Sequence, residues 1–162
     1  MIYTDEDLTQ LITCHKRITQ PPHRDMRMEG QMLRNEMELE SLESIHSFRV
    51  FMRQHRAFPE NFSIGIDYLP KEEPGSFCLL RCNGKHGGYK AHSHHSDCHI
   101  HRSIAEDVNA GVRLERHIEL ISEYAAFRDA LCYFLRLINI TANDFNKHFP
   151  SIFQADLFGG EA

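Results

Sequence analysis

Six of the twelve histidines in this 162-residue chain fall between His86 and His101. An imidazole titrates near neutral pH, so within one cluster one ring can take a proton while another gives one. The same rings, with a nearby thiol, are also good ligands for zinc and other transition metals. The segment therefore offers two kinds of chemistry, and its local structure decides between them.

Phe77 to Cys82 is an apolar run of strand length, broken by Asn83-Gly84, and Asp97 to Arg102 reads as the next strand. Side chains alternate across a strand. If Cys78, Leu80, Cys82, Cys98 and Ile100 face a core, then Arg81, His99 and His101 project together from the opposite face. His99 and His101 are then the candidate base and acid, and Arg81 the candidate for holding a phosphate and stabilising charge on it. Asn83, Lys85 and His86 lie at the mouth of the connection and are the candidate substrate-binding residues. Arg49, Arg53 and Asp67 are candidates for the floor of the same face. Such a constellation would cleave RNA by 2′-hydroxyl attack with no cofactor.

His92, His94, His95 and Cys98 supply the alternative, a site for zinc or another transition metal. Their spacing is a surplus of donors and matches no paired CxxC or HExxH arrangement. A solvated loop is the simplest reading of His92, His94 and His95. For His99 and His101, two titratable groups beside an arginine on one face favour function. Cys82 and Cys98 read as small packing groups.

The elements that must position these residues follow from periodicity. Thr4 before Asp5, Glu6 and Asp7 caps a helix, and Leu8, Leu11, Ile12, His15 and Ile18 extend it at helical spacing to Pro21. Residues 33–39, 48–53 and 62–68 alternate as strands. Ser103 with Glu106 has capping-box spacing for a short helix that ends near Gly111. The apolar series from Ile118 to Ile138 predicts a longer helix, and Thr141 with Asp144 opens a last one before Pro150. Short connections favour an antiparallel meander. The expected fold is thus α+β: four to five antiparallel strands, with an N-terminal helix and C-terminal helices packed on one face. Residues 1–150 form one domain and 151–162 a loose tail.

Composition narrows the function classes. A formal charge of −5 argues against a broad basic surface that grips nucleic acid through phosphates alone, and leaves room for a local basic groove. Hydrophobic residues make up 41% of the chain, yet no run approaches the length of a membrane span, and the acidic start Met1 to Asp7 is unlike a signal peptide. Five scattered cysteines read as reduced thiols. The expected location is the cytoplasm. Glu36, Glu38, Glu40 and Glu43 form an acidic row that reads as a solvated face, or as a mimic of nucleic acid.

The series Leu80-Arg81-Cys82-Asn83-Gly84, then His86 or His92, then His99-Ile100-His101, resembles a motif of small bacterial and phage proteins with an Arg-x-Asn/Asp-Gly strand end and a His-x-His strand. Some of these resemble the toxins of toxin–antitoxin pairs. The resemblance implies roles for Arg81, Asn83, Gly84, His99 and His101, and a nuclease activity. Cys82 and the His-Gly-Gly-Tyr-Lys stretch depart from the pattern. The leading expectation is a metal-independent ribonuclease whose partner is RNA or a host or antitoxin protein, with no membrane and with a homodimer among the assemblies open to it. The alternatives are a phage or mobile-element protein that blocks a host defence protein through its acidic surface, and a His/Cys metal-binding protein.

Overall fold

The computed structural model describes residues 1–86, 96–112 and 117–151. The chain begins with helix α1 (Asp5–Thr13). Strands β1 (Lys16–Gln20), β2 (Arg27–Glu29), β3 (Met32–Ser41), β4 (Ser47–His55), β5 (Phe62–Leu69), β6 (Phe77–Asn83) and β7 (His99–Arg102) follow. Then come α2 (Ala105–Asn109), β8 (Ile118–Leu120), α3 (Phe127–Leu137) and α4 (Ala142–His148). The eight strands form one antiparallel sheet in the order β1-β3-β4-β5-β6-β7-β8, with β2 paired to the outer part of β3. The α+β class and antiparallel sheet match the expectation, and the sheet is larger than the four to five strands expected.

Alternation sorts each strand into two faces. Met37 and Leu39 of β3, Phe48, Val50 and Met52 of β4, Ile64 and Ile66 of β5, and Leu80 and Cys82 of β6 are all buried. They meet Leu8, Leu11 and Ile12 of α1 and Ala130, Leu131, Phe134 and Leu135 of α3 in a single core. The helices therefore cover one face of the sheet. The other face carries Arg34, Glu36 and Glu38 of β3, Arg49, Phe51 and Arg53 of β4, and Ser63, Gly65 and Asp67 of β5.

Three predicted boundaries are corrected. First, α1 ends at Thr13, and His15 and Ile18 are not helical. Ile18 pairs with Leu39 across β1 and β3, since an apolar residue at this position satisfies a strand register as well as a helical period. Second, the helix expected from Ile118 starts only at Phe127, because Ile118–Leu120 pairs with β7 as the edge strand β8. Third, α2 has no Ser103 cap: Ser103 Oγ donates to the Cys78 carbonyl, and Ile104 occupies the cap position. The Thr4 and Thr141 caps are present as expected, and Asp7 completes a capping box with Thr4.

Lys16, at the start of β1, is fully buried. Its Nζ donates to the carbonyls of Ile12 (2.7 Å), Cys14 (2.8 Å) and Ile138 (3.0 Å), and lies 4.8 Å from the centre of the Phe48 ring. The carbonyls at the ends of α1 and α3 lack helical donors, and one ammonium group satisfies three of them. Burial lowers the Lys16 pKa from 10.5 to about 8.

Candidate functional site

The register across β5, β6, β7 and β8 brings the predicted residues together. Arg81 pairs with Gly65 on one side and with His101 on the other; Asn83 pairs with Ser63 and with His99. Directly paired residues project from the same side of a sheet. Arg81, Asn83, His99 and His101 therefore share the face opposite the helices. The row continues to Ile118 beyond His101 and to Leu120 beyond His99.

One residue of the expected pattern is out of phase. The pairing of β5 with β6 shifts between Ile66 and Asp67, so that Ile66 meets Leu80 while Asp67 meets Cys78. The extra residue, Leu79, is fully buried, and Cys78 turns to the polar face beside Asp67. A bulge of this kind reverses the alternation before it, which a strict period of two cannot anticipate. Cys82 and Cys98 are buried as expected, and burial pushes the Cys82 thiol up to about 12. It does not act as a thiolate nucleophile at neutral pH.

The hydrogen bonds around His99 define its chemistry. Its Nδ1 lies 2.8 Å from the carbonyl oxygen of Asp97. A carbonyl only accepts, so Nδ1 carries the proton, and the neutral ring presents a lone pair at Nε2. Two groups converge on that lone pair: Asn83 Nδ2 and His86 Nε2, each at 3.3 Å. Asn83 is itself oriented by Ser63, whose hydroxyl donates to Asn83 Oδ1 at 2.8 Å. The backbone is held from the core side by Tyr124, whose hydroxyl is 3.0 Å from the carbonyls of both Asn83 and His99. The His101 ring meets the His99 ring nearly edge-on, with centres 5.1 Å apart.

Burial grades across the cluster. His99 is fully buried and His101 and Asn83 nearly so, His86 and Arg81 are half-buried, and Lys85 is exposed. The imidazoles thus lie deeper than the open sheet face anticipated for them, and His86 and Lys85 form the end of the cluster nearest solvent. The Nε of Arg81 is buried with no hydrogen-bond partner among the described residues. A buried N–H without an acceptor is costly to keep. His92, His94 and His95 lie outside the described residues, and among those described no group of three metal donors is present.

Gly84 explains how the chain leaves β6 towards His86. Its amide donates to the Phe62 carbonyl at 3.0 Å, and a Cβ placed there would lie 2.1 Å from the Glu60 carbonyl oxygen and 2.4 Å from the Phe62 ring. The obstacle is backbone, so it cannot rotate away. Gly84→Ala is expected to cost about 1–3 kcal/mol through this overpacking. Thermal unfolding of the variant should show a transition several degrees lower.

The expected acidic row is matched by arginines on neighbouring strands. Glu38 pairs in register with Arg49, Glu36 lies 3.8 Å from Arg27, and Glu40 binds Arg17. Arg49 also reaches Asp67 at 3.2 Å and Arg34 reaches Glu29 at 2.7 Å. The site residue that sequence reasoning missed is Phe51. Only the absence of a side chain at Gly65, its partner in register, signals that a ring lies over that position.

No protein family, curated protein or solved structure matches the chain. Among the described residues, no helix is long and apolar enough to cross a membrane.

Proposed function

We propose that the chain is a metal-independent ribonuclease whose base is His99. The observation that carries this reading is the bond from His99 Nδ1 to the Asp97 carbonyl, which leaves an oriented lone pair at Nε2. In the reaction, Nε2 takes the proton of a ribose 2′-hydroxyl, and the 2′-oxygen attacks the adjacent phosphorus. The bond from phosphorus to the 5′-oxygen breaks, and that oxygen takes a proton from protonated His101. Arg81 stands directly across from His101 in the sheet and stabilises the charge that develops on the phosphoryl oxygens. Asn83 holds the His99 ring in place, the 2′-hydroxyl takes the position of His86 beside Nε2, and exposed Lys85 draws in the phosphate.

The His86–His99 pair favours a second reading, metal binding. Two imidazole nitrogens on a tetrahedral zinc with bonds near 2.0–2.1 Å stand about 3.3–3.4 Å apart, and the two Nε2 atoms are 3.3 Å apart. Among the described residues no third metal donor stands with the pair, so the ribonuclease is the leading reading.

One assay separates the two. Incubation of the protein with single-stranded RNA in EDTA should yield products ending in 2′,3′-cyclic phosphate. Cleavage that requires restored zinc would move the function to the metal, and intact RNA under both conditions would overturn both readings.

A further inference from the structure

The polar face of the sheet continues from the histidine cluster into a groove of about 330 Å³ over β3, β4 and β5. Its lining includes four arginines (Arg27, Arg34, Arg49 and Arg53) and Phe51, interleaved with the carboxylates of Glu29, Glu36 and Asp67. In the sheet register Phe51 is followed by Gly65, Arg81 and His101, and Arg53 by Ser63, Asn83 and His99. The groove and the cluster are thus two ends of the same pair of cross-strand rows, about 14 Å apart at the usual strand spacing.

Two features make the groove a nucleotide site rather than a merely charged surface. Phe51 lies with the tip of its ring over Gly65; a Cβ on Gly65 would stand 2.3 Å from the ring's Cζ. The guanidinium of Arg53 sits 5.0 Å from the centre of that ring. A ring backed by glycine and topped by a guanidinium ends in a flat, cationic plane. Single-stranded bases stack on such planes, whereas a duplex keeps its base faces hidden. Arg27, Arg34 and Arg49 each face a carboxylate; the pairs of Arg27 and Arg34 are exposed on both sides and exchange for a phosphate at little cost, while Arg49 is itself exposed beside a more covered Asp67.

We infer that the Phe51–Arg53 stack and the neighbouring Arg34 and Arg49 bind single-stranded RNA, a base on the stack and its phosphates on the flanking guanidiniums. This deepens the ribonuclease reading and rests on it for the choice of RNA. It identifies the substrate as unpaired and gives the sheet face a specificity role separate from the cleaving groups.

The test measures binding of a short labelled single-stranded RNA of mixed sequence to the full chain carrying His99→Ala, so that cleavage cannot intrude. In that background Phe51→Ala and Arg53→Gln should each weaken binding by about 5- to 150-fold, the range for loss of one stacked base. Arg53→Lys keeps the charge but not the plane and should not restore it. Gly65→Ala, which displaces Phe51 without removing any group, should weaken binding similarly. Arg128→Gln, on α3 behind the sheet, should leave it unchanged, and a duplex of the same sequence should bind more weakly than the single strand. Unfolding temperatures within a few degrees of the parent confirm that the variants fold. Binding that ignores Phe51, Arg53 and Gly65 overturns the inference, and if the unsubstituted protein still cleaves that RNA the ribonuclease reading survives alone. Binding with the expected sensitivity but no cleavage by the unsubstituted protein supports the groove and removes the proposed reaction.

Discussion

His99→Ala should abolish RNA cleavage, with a loss of about 100- to 10,000-fold, the usual contribution of a positioned general base. The size follows from geometry. Within the described cluster, the Nε2 of His99 is the atom on which both Asn83 and His86 converge, and its tautomer is set by the Asp97 carbonyl. His99 is also fully buried, so its loss leaves a hole as well as a missing base. His99→Gln separates these effects. It keeps most of the volume and can still hydrogen-bond, yet it cannot take a proton at neutral pH. A Gln variant that folds with a normal unfolding temperature and still fails to cleave assigns the loss to chemistry. A Gln variant that cleaves at the parent rate would remove His99 from the reaction.

The second large effect concerns stability and lies at Lys16, far along the sheet from the histidines. Lys16→Ala strips the donor from three carbonyls, each worth about 1–3 kcal/mol when left unpaired in the interior. It also opens the space held by three methylenes beside Phe48, at about 0.8 kcal/mol each. Against this stands relief from burying a charge. The shift from 10.5 to about 8 corresponds to roughly 3 kcal/mol. The losses outweigh the relief, and the variant should be destabilised by about 3 kcal/mol or more at neutral pH. The pH dependence has a definite sign. Between pH 8 and 10.5 the unfolded chain holds a proton on Lys16 that the folded chain has released, so native stability rises with pH across that window. Lys16→Ala should lose this rise, and its deficit relative to the parent should grow from pH 8 to pH 10.5. Urea unfolding at both ends of the window measures it; a constant deficit would show that Lys16 keeps its proton in the folded state.

Much of the sheet could be read from alternation alone, because β3, β4 and β5 each bury one face against α1 and α3 and leave the other wet. The shared side of Arg81, His99 and His101 was legible for the same reason. Less legible were the places where two periods fit one string. Residues 15–18 satisfy a helix and a strand equally, and only pairing of Ile18 with Leu39 decides for the strand. The bulge at Leu79 has no signature in a run of apolar residues, so alternation alone places Cys78 on the face opposite to the one it occupies. Local spacing also could not reveal the depth of His99 or its bond to Asp97, which depend on how the chain enters β7. The lean of Phe51 over Gly65 joins residues from two strands and emerges only with the register.

The protonation state of one ring bears the weight of the proposed chemistry. Nitrogen-15 NMR of labelled protein at neutral pH distinguishes the two neutral tautomers of His99 directly. The account predicts a proton on Nδ1 and a bare Nε2; a proton found on Nε2 would leave no lone pair facing Asn83 and His86 and would contradict it.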